Sequence, residues 1–135
     1  MARVQLALNV SDLTSAVKFY SKLFKAEPFK VRPGYANFVV DDPPLKLVLV
    51  EGAGVAGTVN HLGVEVPTTD DVTETTRRLS GEGLETAVEE NTTCCWAVQD
   101  KVWVHDPDDR PWEVYTVIAD APVEQSAAGT PCCQT

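Results

Sequence analysis

One segment pattern occurs twice in this chain, and that repetition limits the fold more than any other feature. Val4-Gln5-Leu6-Ala7-Leu8-Asn9-Val10 alternates, with Val4, Leu6, Leu8 and Val10 on one face and Gln5, Ala7 and Asn9 on the other, as a half-buried strand does. Ser11 or Asp12 is placed to cap a helix. Leu13, Ala16, Val17, Tyr20, Leu23 and Phe24 then recur at helical spacing. Pro28 stops that helix. Three extended runs follow, Pro28–Val31, Tyr35–Val40 and Leu45–Val50, separated by Pro33-Gly34 and Asp41-Asp42-Pro43-Pro44. After a glycine- and alanine-rich connector, Gly52 to Thr58, the order restarts. Asn60-His61-Leu62-Gly63-Val64-Glu65-Val66 reads as a strand. Thr69, Asp70 and Asp71 supply a cap and an acidic first turn, and the helix runs to about Leu79, before Gly81 and Gly83. Extended runs at Thr86–Glu89, Ala97–Val104 and Trp112–Ile118 complete the second copy.

The copies align. Gln5 falls on His61 with an offset of 56, and Asp41-Asp42-Pro43-Pro44 falls on Asp108-Asp109-Arg110-Pro111 with an offset of 67. The second copy has therefore gained 11 residues, somewhere within about 81–101, the stretch that holds Cys94-Cys95. Loops accept insertions and carry function on a rigid scaffold. Neutral drift explains an insertion alone equally well, but not one carrying two adjacent cysteines. The expected organisation is α+β: one domain over 1–118, with module one at 3–51 and module two at 59–118. A mobile, cysteine-containing tail is expected over 119–135.

Composition narrows the function. At 135 residues the chain suits one domain with a real core. A net charge of −9, with no basic patch, argues against nucleic acid and anionic membranes as partners. No signal peptide is visible at the N-terminus, and no apolar stretch approaches the roughly 20 residues of a membrane helix. A reducing, cytoplasmic setting is expected. There the four cysteines read as free thiols, ligands or redox groups before structural bridges.

Two β-α-β-β-β units in tandem resemble the vicinal oxygen chelate superfamily, which includes glyoxalase I, bleomycin-resistance proteins and extradiol dioxygenases. The resemblance runs from Arg3 to about Ile118. It implies two curved sheets facing each other around a metal-containing half-barrel. Signature positions on the first and last strands of each module fall on Gln5, Lys46, His61 and Glu113. Strand parity agrees. Leu62 and Val64 share one face, so His61 points the other way, and Trp112 and Val114 do the same for Glu113. The resemblance implies that Gln5, His61 and Glu113 hold a metal. An amide oxygen, an imidazole and a carboxylate resemble the facial triad of non-haem iron(II) enzymes, with positions left open. A protonated Lys46 has no lone pair to offer, which weighs against glyoxalase chemistry. His105, before Asp106-Pro107, reads as a turn residue.

Cys94-Cys95 follows the polar lead-in Asn91-Thr92-Thr93, which argues for an exposed loop. Neighbouring cysteines do not easily bond to each other. Two thiolates turned to one side favour a soft acceptor, such as trivalent arsenic with two exchangeable oxygens and one carbon substituent. Packing and a redox pair are the alternative readings. The segments Arg3–Val10, Pro33–Phe38, Pro43–Leu49, Asn60–Val66, Thr92–Cys95, Gln99–Val104 and Trp112–Tyr115 together resemble the C–As lyases of bacterial arsenic-resistance systems. That resemblance implies cleavage of the carbon–arsenic bond of trivalent organoarsenicals, with Fe(II) as cofactor and O2 as co-substrate. Cys94 and Cys95 would be the arsenic-binding pair, in a loop at 91–101 that closes over the substrate. The expected partners are the organoarsenical and, for assembly, a second copy of the chain as a homodimer. A cadmium- or metalloid-binding protein, and a glyoxalase- or thiol-transferase-like enzyme, are the competing classes. Cys132-Cys133 in the tail would pass or scavenge metalloid, or be a soft-metal sticker without a fixed role.

Overall fold

The computed structural model describes residues 2–123. Its elements are β1 (Arg3–Val10), α1 (Leu13–Phe24), β2 (Lys30–Arg32), β3 (Tyr35–Asp41) and β4 (Pro44–Glu51) in module one. Module two has β5 (Val59–Glu65), α2 (Thr69–Gly81), β6 (Ala87–Cys94), β7 (Ala97–His105) and β8 (Pro111–Asp120). All eight strands join in one sheet, ordered β2-β3-β4-β1-β5-β8-β7-β6. The two halves are thus not separate facing sheets. They are one curled half-barrel, hinged on the antiparallel β1–β5 pair, with Arg3 opposite Glu65 and Ala7 opposite His61. Each module places its first strand parallel to its last, β1 with β4 and β5 with β8.

The alternation read from β1 decides which face goes where. Leu6, Leu8 and Val10 pack with Phe38, Val40, Leu45, Leu47 and Leu49 under the α1 stripe of Leu13, Ala16, Val17, Tyr20 and Phe24. Each such side chain taken fully out of water contributes about 1.5–3 kcal/mol. The opposite face keeps Gln5, Ala7 and Asn9, all buried. On α1 the cap is Asp12, whose carboxylate accepts from the Thr14 N–H at 3.1 Å. On α2 it is Thr68, in a capping box with Asp71. That start is one residue earlier than Thr69, because the Thr68 hydroxyl and the Asp71 carboxylate satisfy each other's backbone N–H groups.

The largest departure from the sequence reading is at residues 91–101. They form a β-hairpin in place of a polar loop. β6 runs to Cys94, which pairs with Ala97, and only Cys95 and Trp96 turn the chain. Equivalent strands in module one are shorter, with β2 of 3 residues against β6 of 8, and β3 of 7 against β7 of 9. Seven of the 11 gained residues therefore lengthen this hairpin; one more lies in α2, 13 residues against 12, and three in the turn between β7 and β8. Ladder pairing absorbs the polar lead-in: Thr92 faces Gln99 and Thr93 faces Val98. β8 also extends to Asp120, two residues beyond the expected strand end at Ile118. Residues 124–135, with Cys132 and Cys133, lie outside the described part.

Candidate active site

Gln5, His61 and Glu113 meet on the face opposite α1. His61 Nε2 lies 2.6 Å from Glu113 Oε2, and Gln5 Nε2 lies 2.7 Å from that oxygen and 3.2 Å from His61 Nε2. All three are buried. Strand register explains the convergence. Gln5 on β1 stands opposite Gly63 on β5, and Gly63 stands beside Glu113 on β8. Gly63 thus separates the amide from the carboxylate, and the space depends on its having no side chain. A Cβ there would sit 2.8 Å from the Glu113 carbonyl oxygen, 2.9 Å from its Cγ and 3.2 Å from Gln5 Nε2. Ligand atoms bound at right angles about 2.1 Å from a small divalent ion are separated by about 3 Å. The three groups therefore fit the edges of one coordination site. Among the described residues no three His, Cys, Asp or Glu cluster in this way, because the third donor here is an amide.

Burial pushes the Glu113 carboxyl upward, but the Lys101 ammonium at 2.7 Å and His61 outweigh it and hold the group well below the usual carboxylate range. It is a carboxylate throughout the neutral range. On the far side of His61, Nδ1 lies 2.8 Å from Asn60 Oδ1. Asn60 Nδ2 donates to Asn9 Oδ1 at 2.9 Å, and Asn9 Nδ2 donates to the Thr58 hydroxyl at 3.0 Å. That relay makes Asn60 Oδ1 an acceptor for the Nδ1–H of His61, which fixes the ring with Nε2 toward the centre. Gln5 Oε1 accepts from the Tyr115 hydroxyl. The carbonyl faces the centre only when the amide turns over. Tyr115 tolerates either orientation, since a hydroxyl both donates and accepts. Burial first, then the Glu113 charge, pushes the Tyr115 phenol well above its ordinary value and keeps it neutral. Lys46, the remaining signature position, is engaged by Glu65 at 3.1 Å and by the Tyr115 hydroxyl at 3.4 Å.

The cysteine pair sits at the tip of the β6–β7 hairpin. Cys94 is 1% exposed, against the exposure expected from its polar lead-in. It packs with Ala7, Tyr35, Val48 and Val50 of module one, and Cys95 and Trp96 pack around that cluster. The two sulfurs are 3.8 Å apart, too far to be bonded to each other. Free thiols were expected, yet among the described residues no cysteine is free. Cys95 and Trp96 have φ values of 52° and 63°. Both turn positions are left-handed, as a tight hairpin requires, but neither is glycine or asparagine, so the turn is strained. Lys30 of module one holds it, donating to the Trp96 carbonyl at 2.9 Å while paired with Asp120. A closing loop is not what this segment is: its strands are paired and its tip is fastened.

Lys101 joins the two centres. Its ammonium is 2.7 Å from Glu113 Oε1 and 3.3 Å from Cys94 Sγ, and it is 1% exposed. Sequence reading assigned no role to Lys101, Tyr115, Asn60 or Gly63. Parity on β7 carried a signal, since Gln99, Lys101 and Trp103 alternate on the face that reaches His61, whose ring is 5.5 Å from that of Trp103. A cavity of about 260 Å³ opens beside these groups, lined by Gln5, His61 and Glu113 and, across it, Cys95.

Half-barrel, tandem modules and inward-facing donors together define a known class. The chain belongs to the Glyoxalase/Bleomycin resistance protein/Dioxygenase superfamily, whose family model matches residues 3–114. Within it, the chain is 60% identical over 121 residues to the cadmium-induced protein CadI of Mycobacterium tuberculosis, covering 90% of this chain and 80% of that one. It is 56% identical over 134 residues to a trivalent organoarsenical cleaving enzyme of Thermomonospora curvata, covering 98% and 89%. Among solved structures, an extradiol ring-cleaving dioxygenase from B. fuscum superposes with a TM-score of 0.62 at 21% identity, over 88% of this chain and 33% of that one. An Mn(II)-bound glyoxalase from Novosphingobium aromaticivorans gives 0.61 at 18%, over 95% and 44%. These two share the fold.

Proposed function

We infer that this protein cleaves the carbon–arsenic bond of trivalent organoarsenicals and releases arsenite, a detoxifying activity of a reducing, cytoplasmic compartment. The observation that carries the reading is the convergence of Gln5, His61 and Glu113 within 2.6–3.2 Å of one another, in a cavity whose lining also includes Cys95 of the cysteine pair. The 56% identity to an enzyme named for cleaving trivalent organoarsenicals supports it. Gln5, His61 and Glu113 would hold Fe(II), and O2 would be the co-substrate. When bound, the ion would supply electrons to dioxygen and so activate it.

The rest falls to this chain's own residues. Cys94 and Cys95 are not free in this structure; once reduced by a cellular thiol, the two thiols would displace the two hydroxyls of RAs(OH)2, form two As–S bonds and release two waters. The organic group stays on arsenic. Tying arsenic to the strained hairpin makes the encounter with the metal site effectively unimolecular. His61, oriented by Asn60, and Glu113, held by Lys101, keep the donors aimed inward.

Turnover under air with iron(II), followed by arsenic speciation, tests this. Arsenite released well beyond one equivalent per protein is expected, and release stopping at one equivalent would overturn it. A second reading, sequestration of cadmium or metalloid, draws on the 60% identity to a cadmium-induced protein. It needs the cysteines but no catalytic ion. The pair of variants Cys94→Ala and Cys95→Ala separates the roles: arsenical binding is lost while the divalent ion is still bound. Glyoxalase-like chemistry is disfavoured, because the fourth signature position is Lys46, already committed to Glu65.

A further inference from the structure

Cys94 and Cys95 are each disulfide-bonded, and at 3.8 Å their sulfurs are too far apart to be joined to one another. The chain has two other cysteines, Cys132 and Cys133, outside the described residues. Within one chain they are the partners left for the pair at the hairpin tip. The described end of the chain lies in the right place for this. The Ala121 N–H donates to the Trp96 carbonyl at 3.1 Å, and Ala121 is buried. Asp120 is ion-paired with Lys30, which donates to the same carbonyl. The chain therefore sets out toward Cys132 from the turn that carries Cys95. Eleven residues lead from Ala121 to Cys132. An extended stretch of that length reaches about 36–40 Å, so length does not limit a return to the tip.

Reduction of these disulfides by a cellular thiol takes two electrons and two protons each. It leaves four thiols beside the cavity that Cys95 lines. How many sulfurs trivalent arsenic then accepts depends on how many oxygens it carries. RAs(OH)2 has two exchangeable hydroxyls and a carbon, so Cys94 and Cys95 satisfy it. Arsenite, As(OH)3, has one hydroxyl more, which two adjacent cysteines leave in place. A thiol from the tail displaces that hydroxyl. One As–S bond forms, one As–O bond breaks, and the thiol proton leaves with the hydroxyl as water. No electrons are transferred in that step.

We propose that the Cys132-Cys133 pair supplies the third sulfur of a three-thiolate site for arsenite, completed by Cys94 and Cys95. The proposal rests on the organoarsenical reading of the site and adds recognition of the product. Two sulfurs hold the substrate, whose carbon blocks the third position, and a third sulfur engages only once that carbon has gone. A soft thiolate suits arsenic better than the oxygen it replaces. Because the tail thiol belongs to the same chain, its effective concentration at the tip is on the order of millimolar. Arsenite is thus kept on the protein until outside thiols exchange it.

Two measurements test it. Protein oxidised in air and isolated as a monomer in denaturant is digested without reduction and mapped by mass spectrometry. The peptide holding Cys94-Cys95 is expected to be linked to the one holding Cys132-Cys133, and their separation would overturn the placement. The full chain is then reduced with a phosphine, freed of it, and titrated metal-free and anaerobically with arsenite and with phenylarsenite while the remaining thiols are counted. Each bound arsenite is expected to consume three thiols and each phenylarsenite two. In protein carrying Cys132→Ser and Cys133→Ser, arsenite binds at least about tenfold more weakly and consumes two, while phenylarsenite affinity stays within about twofold. Arsenite consuming only two thiols in the unaltered chain, or binding as tightly without the tail cysteines, would overturn this proposal alone. Phenylarsenite consuming none would overturn the organoarsenical reading and the proposal with it.

Discussion

The two modules share one topology and divide the work unequally. Module one places Gln5, Ala7 and Lys46 where module two places His61, Gly63 and Glu113. On the first side the residues are an amide, a methyl and a cation tied to Glu65. On the second they are an imidazole, a gap and a carboxylate tied to Lys101. The hairpins differ as well. Module one turns at Pro33-Gly34 after a short β2, and module two reaches further, to Cys95-Trp96. The longer hairpin does not stand free, because its tip packs on Ala7, Tyr35, Val48 and Val50 of the other module. A duplicated scaffold thus holds one asymmetric site. In the proposed site one half would provide the strong donors and the sulfur, and the other a weak donor; the packing of the cysteine tip on module one is observed.

The sharpest break of that asymmetry is at the paired signature positions. His61→Ala or Glu113→Gln is expected to weaken divalent-ion binding by more than about a hundredfold, since even loss of a residue supporting a ligand costs 10- to 100-fold. Lys46→Met, the equivalent change in module one, stays within about tenfold. Anaerobic titration with iron(II) or cobalt(II) measures both, and equal losses in the two modules would refute the division of roles.

Lys101→Met attacks the same contrast through stability. It leaves Glu113 buried without its cation, a loss of about 3 kcal/mol by the usual cost of breaking a buried pair. The sign with pH follows from the depressed carboxyl. In the unaltered protein Glu113 contributes stability above its ordinary value near 4.5, and the contribution disappears as pH falls through the lower folded value. Without Lys101, the charge and the hydrogen bond that lower it are lost, and the folded value rises. The acid-unfolding midpoint of Lys101→Met is therefore expected at higher pH than that of the unaltered chain. Thermal or denaturant melts across the acid range check it, and an unchanged midpoint would sink the assignment.

Some of this was legible in the chain and some was not, for physical reasons. Period-two and period-3.6 patterns report which side of an element is apolar, so β1, α1 and β5 could be placed and His61 and Glu113 assigned to the face away from the helices. Periodicity says nothing about neighbours, so the β1–β5 seam that makes one sheet of two modules was not visible. Polarity misled at Asn91-Thr92-Thr93, where ladder bonds and a bulge satisfy the polar groups: the Asn91 N–H donates to Asp100 at 2.7 Å, and the Asn91 φ is 49°. A lysine in a strand usually faces water. Lys101 is buried only because Glu113 and Cys94 close on it from elements distant in sequence. Gly63 looked like one more place in an alternation, and its requirement appears only when three strands are side by side.

Gly63 and Ala7 therefore make a matched pair for the next test. Gly63→Ala is expected to cost about 1–3 kcal/mol, because the added methyl meets β8 backbone and the Glu113 stem, which shift only by disturbing the sheet. It should also weaken ion binding, by pushing Gln5 and Glu113 apart. Ala7→Gly removes one packed methyl and loosens the strand, costing about 1 kcal/mol, and leaves the donors in place. Chemical denaturation and ion titration on both proteins give the comparison. A harmless Gly63→Ala would mean that the space between the donors is not what Gly63 maintains.

The smallest effects belong to the side of the sheet away from the site. Asp12 caps α1 and Thr68 caps α2, each by accepting a backbone N–H at its helix start. Asp12→Ala and Thr68→Ala are each expected to cost about 1 kcal/mol. The Thr68 change should cost slightly more, because it also dissolves the reciprocal bond to Asp71. Neither should alter ion affinity, since both helices lie across the sheet from Gln5, His61 and Glu113. Here the modules ought to behave alike. If a cap variant in module two, and not its counterpart in module one, changed ion binding, then α2 and its Thr69–Asp100 link to β7 would be part of the site's support, and the asymmetry would extend through the sheet to the helix layer.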